Sequence, residues 1–137
     1  MGSFADFYKE GLIATREMNL TDINTRADIE QLVNNFYERV KTDPVLAPKF
    51  SHVDWVKHLP VMYNFWSSMM LGDQSYQGNP FQKHINLPIG REHFSEWLHL
   101  FIQTVDENFA GEKSEEIKTR AQNIAILFQH KLGLLKE

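Results

Sequence analysis

Apolar side chains recur along this chain at steps of three and four residues, which is the period of an α-helix with one buried face. The first clear run lies between Asp28 and Lys41, and a second begins at Asp54. A third run spans residues 91–108, and a fourth opens with Ser114. Strand-like alternation of apolar and polar residues is scarce. The pattern therefore predicts an all-α fold.

Proline and glycine separate the four predicted helices. Pro44 ends the first helix, because the residue before a proline is pushed out of the α region. Gly72 permits the left-handed residue that commonly ends a helix, so we expect the second helix to stop there. Gly111 closes the third helix.

The second predicted helix contains a proline near its start. Asp54 is a candidate N-cap for this helix. Pro60 lacks the N–H that would bond to the carbonyl of Val56. We therefore expect either a late start to the helix or a bend just after His58.

The length of 137 residues favours one domain, because two comfortable cores would need more chain. We expect residues 28–137 to form this domain. Residues 1–27 would be an N-terminal extension that could add a further amphipathic helix. No run is apolar enough to span a bilayer, and no signal segment opens the chain, so a cytoplasmic protein is predicted.

Charge and cysteine content exclude several kinds of partner and chemistry. Lys and Arg number 14 against 18 Asp and Glu, which gives a formal net charge of −4. No general attraction to nucleic acid or to an anionic membrane is expected. The absence of cysteine removes disulfides, thiolate nucleophiles and Cys-ligated metals.

The six histidines are the side chains that combine titration near neutral pH with strong metal ligation. No HExxH pair, phosphate loop, GxSxG turn or calcium loop is present, so short motifs assign no enzyme activity. We expect four histidines to lie on helix surfaces, because none has the spacing of a zinc site. These are His52, His93, His99 and His130.

The remaining polar candidates point to a water-excluding pocket. His84 lies in a short segment between two loop stretches, and Tyr37 and Trp97 lie among large aromatic residues. A flat apolar cofactor with a central metal needs one imidazole on a constrained segment and a sheath of aromatic and aliphatic side chains. On spacing alone, the favoured interpretation of His84 is a surface or helix-end histidine, and the default interpretation of Tyr37 and Trp97 is core packing.

Seven segments, taken in order, carry a resemblance to a known family. They are Phe36-Tyr37-Glu38, Trp55-Val56-Lys57-His58, Asn64-Phe65-Trp66, Leu71-Gly72, Tyr76-Gln77-Gly78-Asn79-Pro80, Lys83-His84 followed by Leu87-Pro88, and Phe94-x-x-Trp97-Leu98-x-Leu100-Phe101. From about Asp28 to Leu132 the chain resembles the group III truncated haemoglobins. The resemblance implies a shortened globin, a two-over-two helical sandwich around haem b.

The resemblance also implies roles for individual residues. It makes His84 the ligand of the haem iron, Tyr37 and Trp97 the distal hydrogen-bond donors, and His58 a distal gate. Arg91 would neutralise a haem carboxylate, although a solvated position explains it equally well. The implied pocket walls are Phe36, Phe50, Met62, Phe65, Trp66, Met69, Leu87 and Phe94.

The function that this implies is binding of oxygen, and of other diatomic gases such as nitric oxide, at a His-ligated haem iron. One alternative is a haem-dependent redox enzyme that acts on nitric oxide or peroxide and draws electrons from a reductase. Two further alternatives are a haem-free helical interaction module and a His-ligated protein with a non-haem metal.

Overall fold

The computed structural model describes residues 19–80 and 88–134. Four α-helices occur in these residues: α1 (Arg26–Thr42), α2 (Trp55–Leu71), α3 (Arg91–Asn108) and α4 (Glu112–Lys131). A short 3₁₀ helix, Ala47–Phe50, links α1 to α2. The described part of the chain has no strand, and the predicted all-α fold is confirmed. In these residues no helix is both long and apolar enough to cross a bilayer.

Helix α1 starts at Arg26, two residues before the predicted start, because Thr25 and Asp28 form a capping box. The Thr25 hydroxyl accepts a hydrogen bond from the Asp28 backbone N–H at 3.2 Å. The Asp28 carboxylate accepts one from the Thr25 backbone N–H at 3.0 Å. The buried face of α1 carries the residues that the apolar spacing selects, namely Ile29, Leu32, Val33, Phe36, Tyr37 and Val40.

Helix α2 contains Pro60 in its interior and begins at Trp55, so the late start considered from the sequence is wrong. Asp54 does occupy the N-cap position, but its side chain makes no capping hydrogen bond. Its backbone carbonyl accepts from the His58 N–H at 2.9 Å instead. The helix ends as predicted at Gly72, whose φ of +69° is left-handed.

Helix α3 has the predicted bounds, whereas α4 begins at Glu112, ahead of the predicted opening at Ser114. The reason is a cap supplied from far away in the sequence. The Asp22 carboxylate accepts hydrogen bonds from the backbone N–H groups of Lys113 at 3.0 Å and Ser114 at 2.9 Å. These are among the first N–H groups of α4, which have no partner within their own helix.

The helices pack so that the described core divides into two clusters. Helix α1 packs against α2 and α3, and α4 packs against α3. The larger cluster is centred on α1 and includes Phe36 and Phe101, while the smaller consists of Phe94, Ala125 and Phe128 with their neighbours. Trp97 packs against both clusters.

Two predicted features cannot be compared with the structure. Residues 1–18, within the extension that could add an amphipathic helix, lie outside the described residues, as does the short segment that carries His84.

Candidate functional site

An apolar cavity receives residues from both core clusters. Its empty space is about 780 Å³, counting the open mouth. All four helices contribute to its wall, and the exposed part of the wall is mostly carbon. The described lining residues are Tyr37, Leu46, Phe50, Met62, Phe65, Trp66, Pro80, Ile89, His93, Phe94, Trp97, Ile124, Ala125 and Phe128.

Tyr37 is a buried hydroxyl-bearing side chain in this wall. It lies on the inner face of α1 and is 5% exposed. Its ring contacts the rings of Phe36 at 4.9 Å, Trp55 at 5.1 Å and Phe50 at 6.4 Å between centroids. Burial raises the pKa of Tyr37, because the charged phenolate would lose its hydration. The hydroxyl therefore keeps its proton and stays a hydrogen-bond donor.

Trp97 lines the cavity from α3 as part of an array of aromatic rings. Its ring stacks on Phe101 with centroids 5.5 Å apart, and Phe101 stacks on Trp66 at 5.0 Å. Phe36 meets Trp97 edge-on at 5.8 Å. Such pairs restrict ring orientation, so the array holds the indole of Trp97 in a defined position.

His58 lies beside the cavity wall and is not among the described residues that line it. Its ring is 5.8 Å from that of Tyr37 and 5.7 Å from that of Trp55, in edge-on geometry both times. The structure thus brings together the three residues that the resemblance assigns to the distal side, namely Tyr37 and Trp97 as donors and His58 as a gate. Tyr37 and Trp97 line the cavity, and His58 contacts Tyr37 from outside it.

The wall residues implied by the resemblance fall into three groups. Those that line the cavity are Phe50, Met62, Phe65, Trp66 and Phe94. Phe36 and Met69 pack with the larger core cluster outside the described lining, and Arg91 is exposed to solvent. His84 and Leu87 lie outside the described residues, so their roles stay predictions.

The expectation that His93 lies on a helix surface is wrong. Its side chain is 13% exposed and forms part of the cavity wall. The Gly90 backbone N–H donates to Nδ1 of His93 at 2.8 Å, which caps the start of α3. The other three histidines placed on helix surfaces are exposed; they are His52, His99 and His130.

Helix α4 supplies a part of the wall that the sequence did not predict. Ile124, Ala125 and Phe128 line the cavity. They follow one helical face, and the spacing did identify that face as buried. Spacing does not distinguish a face that packs on other side chains from one that borders a cavity.

The residues present fit a flat apolar prosthetic group. Residues of both buried clusters line one apolar space, and the donor groups among the described lining residues are few: the Tyr37 hydroxyl, the indoles of Trp66 and Trp97, and the His93 imidazole. Pocket walls of this kind, mostly hydrophobic with a few placed polar groups, are typical of cofactor sites. No group of three His, Asp or Glu side chains within residues 19–80 and 88–134 could hold a metal ion directly.

Four helices around an apolar cavity with a few internal donors define a helical protein that binds a small ligand or a cofactor. A family model of bacterial-like globins matches residues 21–130. The chain therefore belongs to the bacterial-like globin family, and membership implies a haem cofactor and haem-based ligand binding.

Individual relatives agree with this assignment. The chain is 36% identical over 122 residues to the group 3 truncated hemoglobin ctb of Campylobacter jejuni, covering 84% of this chain and 95% of the relative. It is 34% identical over 74 residues to the group 1 truncated hemoglobin GlbN of Nostoc commune, covering 53% of this chain and 63% of the relative.

Solved structures give the same result. The group III truncated hemoglobin from Campylobacter jejuni matches with a TM-score of 0.76 and 35% identity, covering 82% of this chain and 94% of that one. A truncated oxygen-avid haemoglobin from Bacillus subtilis matches with a TM-score of 0.68 and 28% identity, covering 76% and 92%. The resemblance to group III truncated haemoglobins is confirmed.

Proposed function

We propose that this globin holds haem b in the cavity through His84 and binds oxygen next to Tyr37 and Trp97. The observation that carries the proposal is the burial of Tyr37 in the cavity wall. Its side chain lines the cavity and is 5% exposed, so its hydroxyl belongs to a mostly buried residue in an apolar wall. A buried donor of this kind is costly unless an acceptor reaches it, and a bound diatomic gas is such an acceptor.

When bound, haem would supply an iron that can bind both a protein imidazole and a diatomic gas. His84 is proposed as the imidazole, on the strength of the family motif around it. Pro80 and Ile89, which flank the segment that carries it, both line the cavity. The positions of Pro80 and Ile89 in the cavity wall support a ligand supplied from residues 81–87.

Tyr37 and Trp97 stabilise negative charge on a gas molecule held in the cavity by donating hydrogen bonds to it. The raised pKa of Tyr37 keeps its hydroxyl protonated, and the stacked rings around Trp97 fix the indole. The apolar wall excludes water and lowers the local dielectric, which strengthens each hydrogen bond from these donors. Two fixed donors favour retention of the gas over rapid release.

His58 supports this arrangement from outside the described lining. Its imidazole packs edge-on against Tyr37 and Trp55. A change in its position would alter the packing of the Tyr37 ring. We propose on this basis that His58 acts as the distal gate named by the family resemblance.

The proposal is tested on the purified full chain. The apoprotein should take up haem with a stoichiometry of one and develop a Soret band, and the reduced form should bind oxygen and nitric oxide reversibly. A folded protein that takes up no added haemin would contradict the proposal and favour a haem-free interaction module. Sustained conversion of nitric oxide to nitrate in the presence of oxygen and a reductase would instead identify the protein as an enzyme.

A further inference from the structure

His93 is chemically distinct within the described cavity wall. It is the only described lining residue whose side chain can carry a positive charge. It lies in the first turn of α3, and Ile89, Phe94 and Trp97 line the same cavity around it. At 13% exposure its side chain is mostly buried yet retains some contact with solvent.

One hydrogen bond fixes which nitrogen of His93 carries the proton. The Gly90 backbone N–H donates to Nδ1 at 2.8 Å, so Nδ1 presents its lone pair. In the neutral imidazole the proton then resides on Nε2. The Glu92 carboxylate, whose side chain is 70% exposed, also lies on the Nδ1 side, at 3.4 Å. Nε2 has no hydrogen-bond partner among the described residues.

This tautomer makes Nε2 a donor and leaves it no lone pair for a metal. His93 is therefore unsuited to bind a haem iron through Nε2 unless it gives up its bond to Gly90. It is well suited to bind a hydrogen-bond acceptor. A haem that buries its ring in an apolar cavity has two carboxylates that must be hydrated or paired.

We infer that the Nε2–H of His93 donates a hydrogen bond to a carboxylate of the bound haem and so sets the orientation of the cofactor in the cavity. The inference rests on the proposed function, because it requires haem in this cavity. It gives His93 two roles, one for each ring nitrogen. Nδ1 caps α3, and Nε2 binds the cofactor.

Two substitutions separate these roles. His93→Asn keeps an acceptor close to the position of Nδ1 but removes the donor at Nε2. His93→Gln keeps a donor amide close to the position of Nε2 but loses the acceptor for Gly90. The measurement is the rate at which haem is lost to an excess of apomyoglobin, with thermal unfolding of each apoprotein as a second readout.

We expect His93→Asn to lose haem about tenfold faster than the wild type, the usual cost of a charge-assisted hydrogen bond, with apoprotein stability close to that of the wild type. His93→Gln should retain haem more nearly like the wild type, with a less stable apoprotein. Repeating the experiment with haem dimethyl ester, which lacks the carboxylates, should abolish the difference between His93→Asn and wild type.

Equal haem loss from wild type and His93→Asn would overturn the inference. So would a difference that persists with the dimethyl ester, because His93 would then act through packing. If His93→Asn does not fold, haem loss from His93→Gln as fast as from His93→Ala would overturn it equally. In each case the wild type still binds haem, so failure of the inference is distinct from failure of the proposed function.

Discussion

Asp22 and Ser114 are 92 residues apart in the sequence and share two hydrogen bonds to one carboxylate oxygen. The Ser114 backbone N–H donates to Oδ1 of Asp22 at 2.9 Å, and its hydroxyl donates to the same atom at 2.8 Å. This contact joins the segment before α1 to the start of α4. The first turn of α4 therefore depends on a residue that lies outside every predicted helix.

Replacing Asp22 with Ala should lower the free energy of unfolding by about 1 kcal/mol, the usual value for a lost N-cap. The carboxylate accepts from the N–H groups of both Lys113 and Ser114, and Ala leaves these donors without that partner. Urea unfolding of the apoprotein measures the change. Asp54→Ala is the matched control, because Asp54 holds an N-cap position without a side-chain capping bond. Equal losses in the two variants would contradict the role of Asp22.

Gly111→Ala should be more destabilising than Gly72→Ala. Both glycines have positive φ, but a Cβ at Gly111 would lie 2.5 Å from Cγ of Asp22, while one at Gly72 would meet nothing within 4 Å. In the Gly72 variant the free energy of unfolding falls only by the cost of placing alanine in the left-handed region, about 1 kcal/mol. The Gly111 variant must also displace the Asp22 cap. Similar unfolding midpoints for the two variants would show that the cap tolerates the added methyl group.

The carboxyl of Asp73 should titrate well below its ordinary range. Hydrogen bonds from the hydroxyls of Ser67 and Ser75 lower the pKa of Asp73 from 3.8 to about 2. Because the folded pKa is below the unfolded one, the stabilisation is fully present above pH 3.8 and is lost as the pH falls through about 2. In Ser67→Ala the pKa of Asp73 should rise toward 3.8, as measured by NMR titration.

The control for this titration is Ser51→Ala. The Ser51 hydroxyl bonds to the Pro48 carbonyl, with no carboxylate involved. This variant should leave the pKa of Asp73 unchanged. A pKa near 3.8 for Asp73 in the wild type would show that the serine hydroxyls do not bond to the carboxylate in solution.

Tyr37→Phe should speed oxygen dissociation from the reduced haem protein by roughly tenfold or more, because the buried hydroxyl is removed while the ring remains. Stopped-flow measurement of oxygen release tests this. Tyr63→Phe is the control, since the Tyr63 hydroxyl donates to the Asn34 side chain and the residue is not among those that line the cavity. An unchanged rate in Tyr37→Phe would remove Tyr37 from its proposed role.

The spacing of apolar residues predicted the ends of a helix well where the residues that fix those ends are close in sequence. The third helix was predicted at its observed bounds, and the end of α2 at Gly72 follows from the conformational freedom of glycine. The start of α4 was predicted too late, because its cap comes from Asp22. A partner supplied from another part of the chain leaves no signal in the sequence next to the helix.

The candidate site was predictable only in part for a similar reason. Tyr37 and Trp97 were identified through the family motifs, and they line the cavity. His93 was assigned to the surface because no pair of histidines has the spacing of a zinc site, and that spacing carries no information about a cavity beside the residue. Its burial depends on how the start of α3 faces the two core clusters, which spacing along one helix does not specify.

The central claim, that the imidazole of His84 binds the haem iron, is tested most directly by His84→Gly, with His99→Gly at an exposed position as the control. The measurement is the absorption spectrum of the reduced and oxidised haem proteins, with and without added imidazole. We predict that His84→Gly alone changes the spectrum, and that free imidazole restores the wild-type form by filling the space left by the side chain. A wild-type spectrum in His84→Gly without imidazole would contradict the claim.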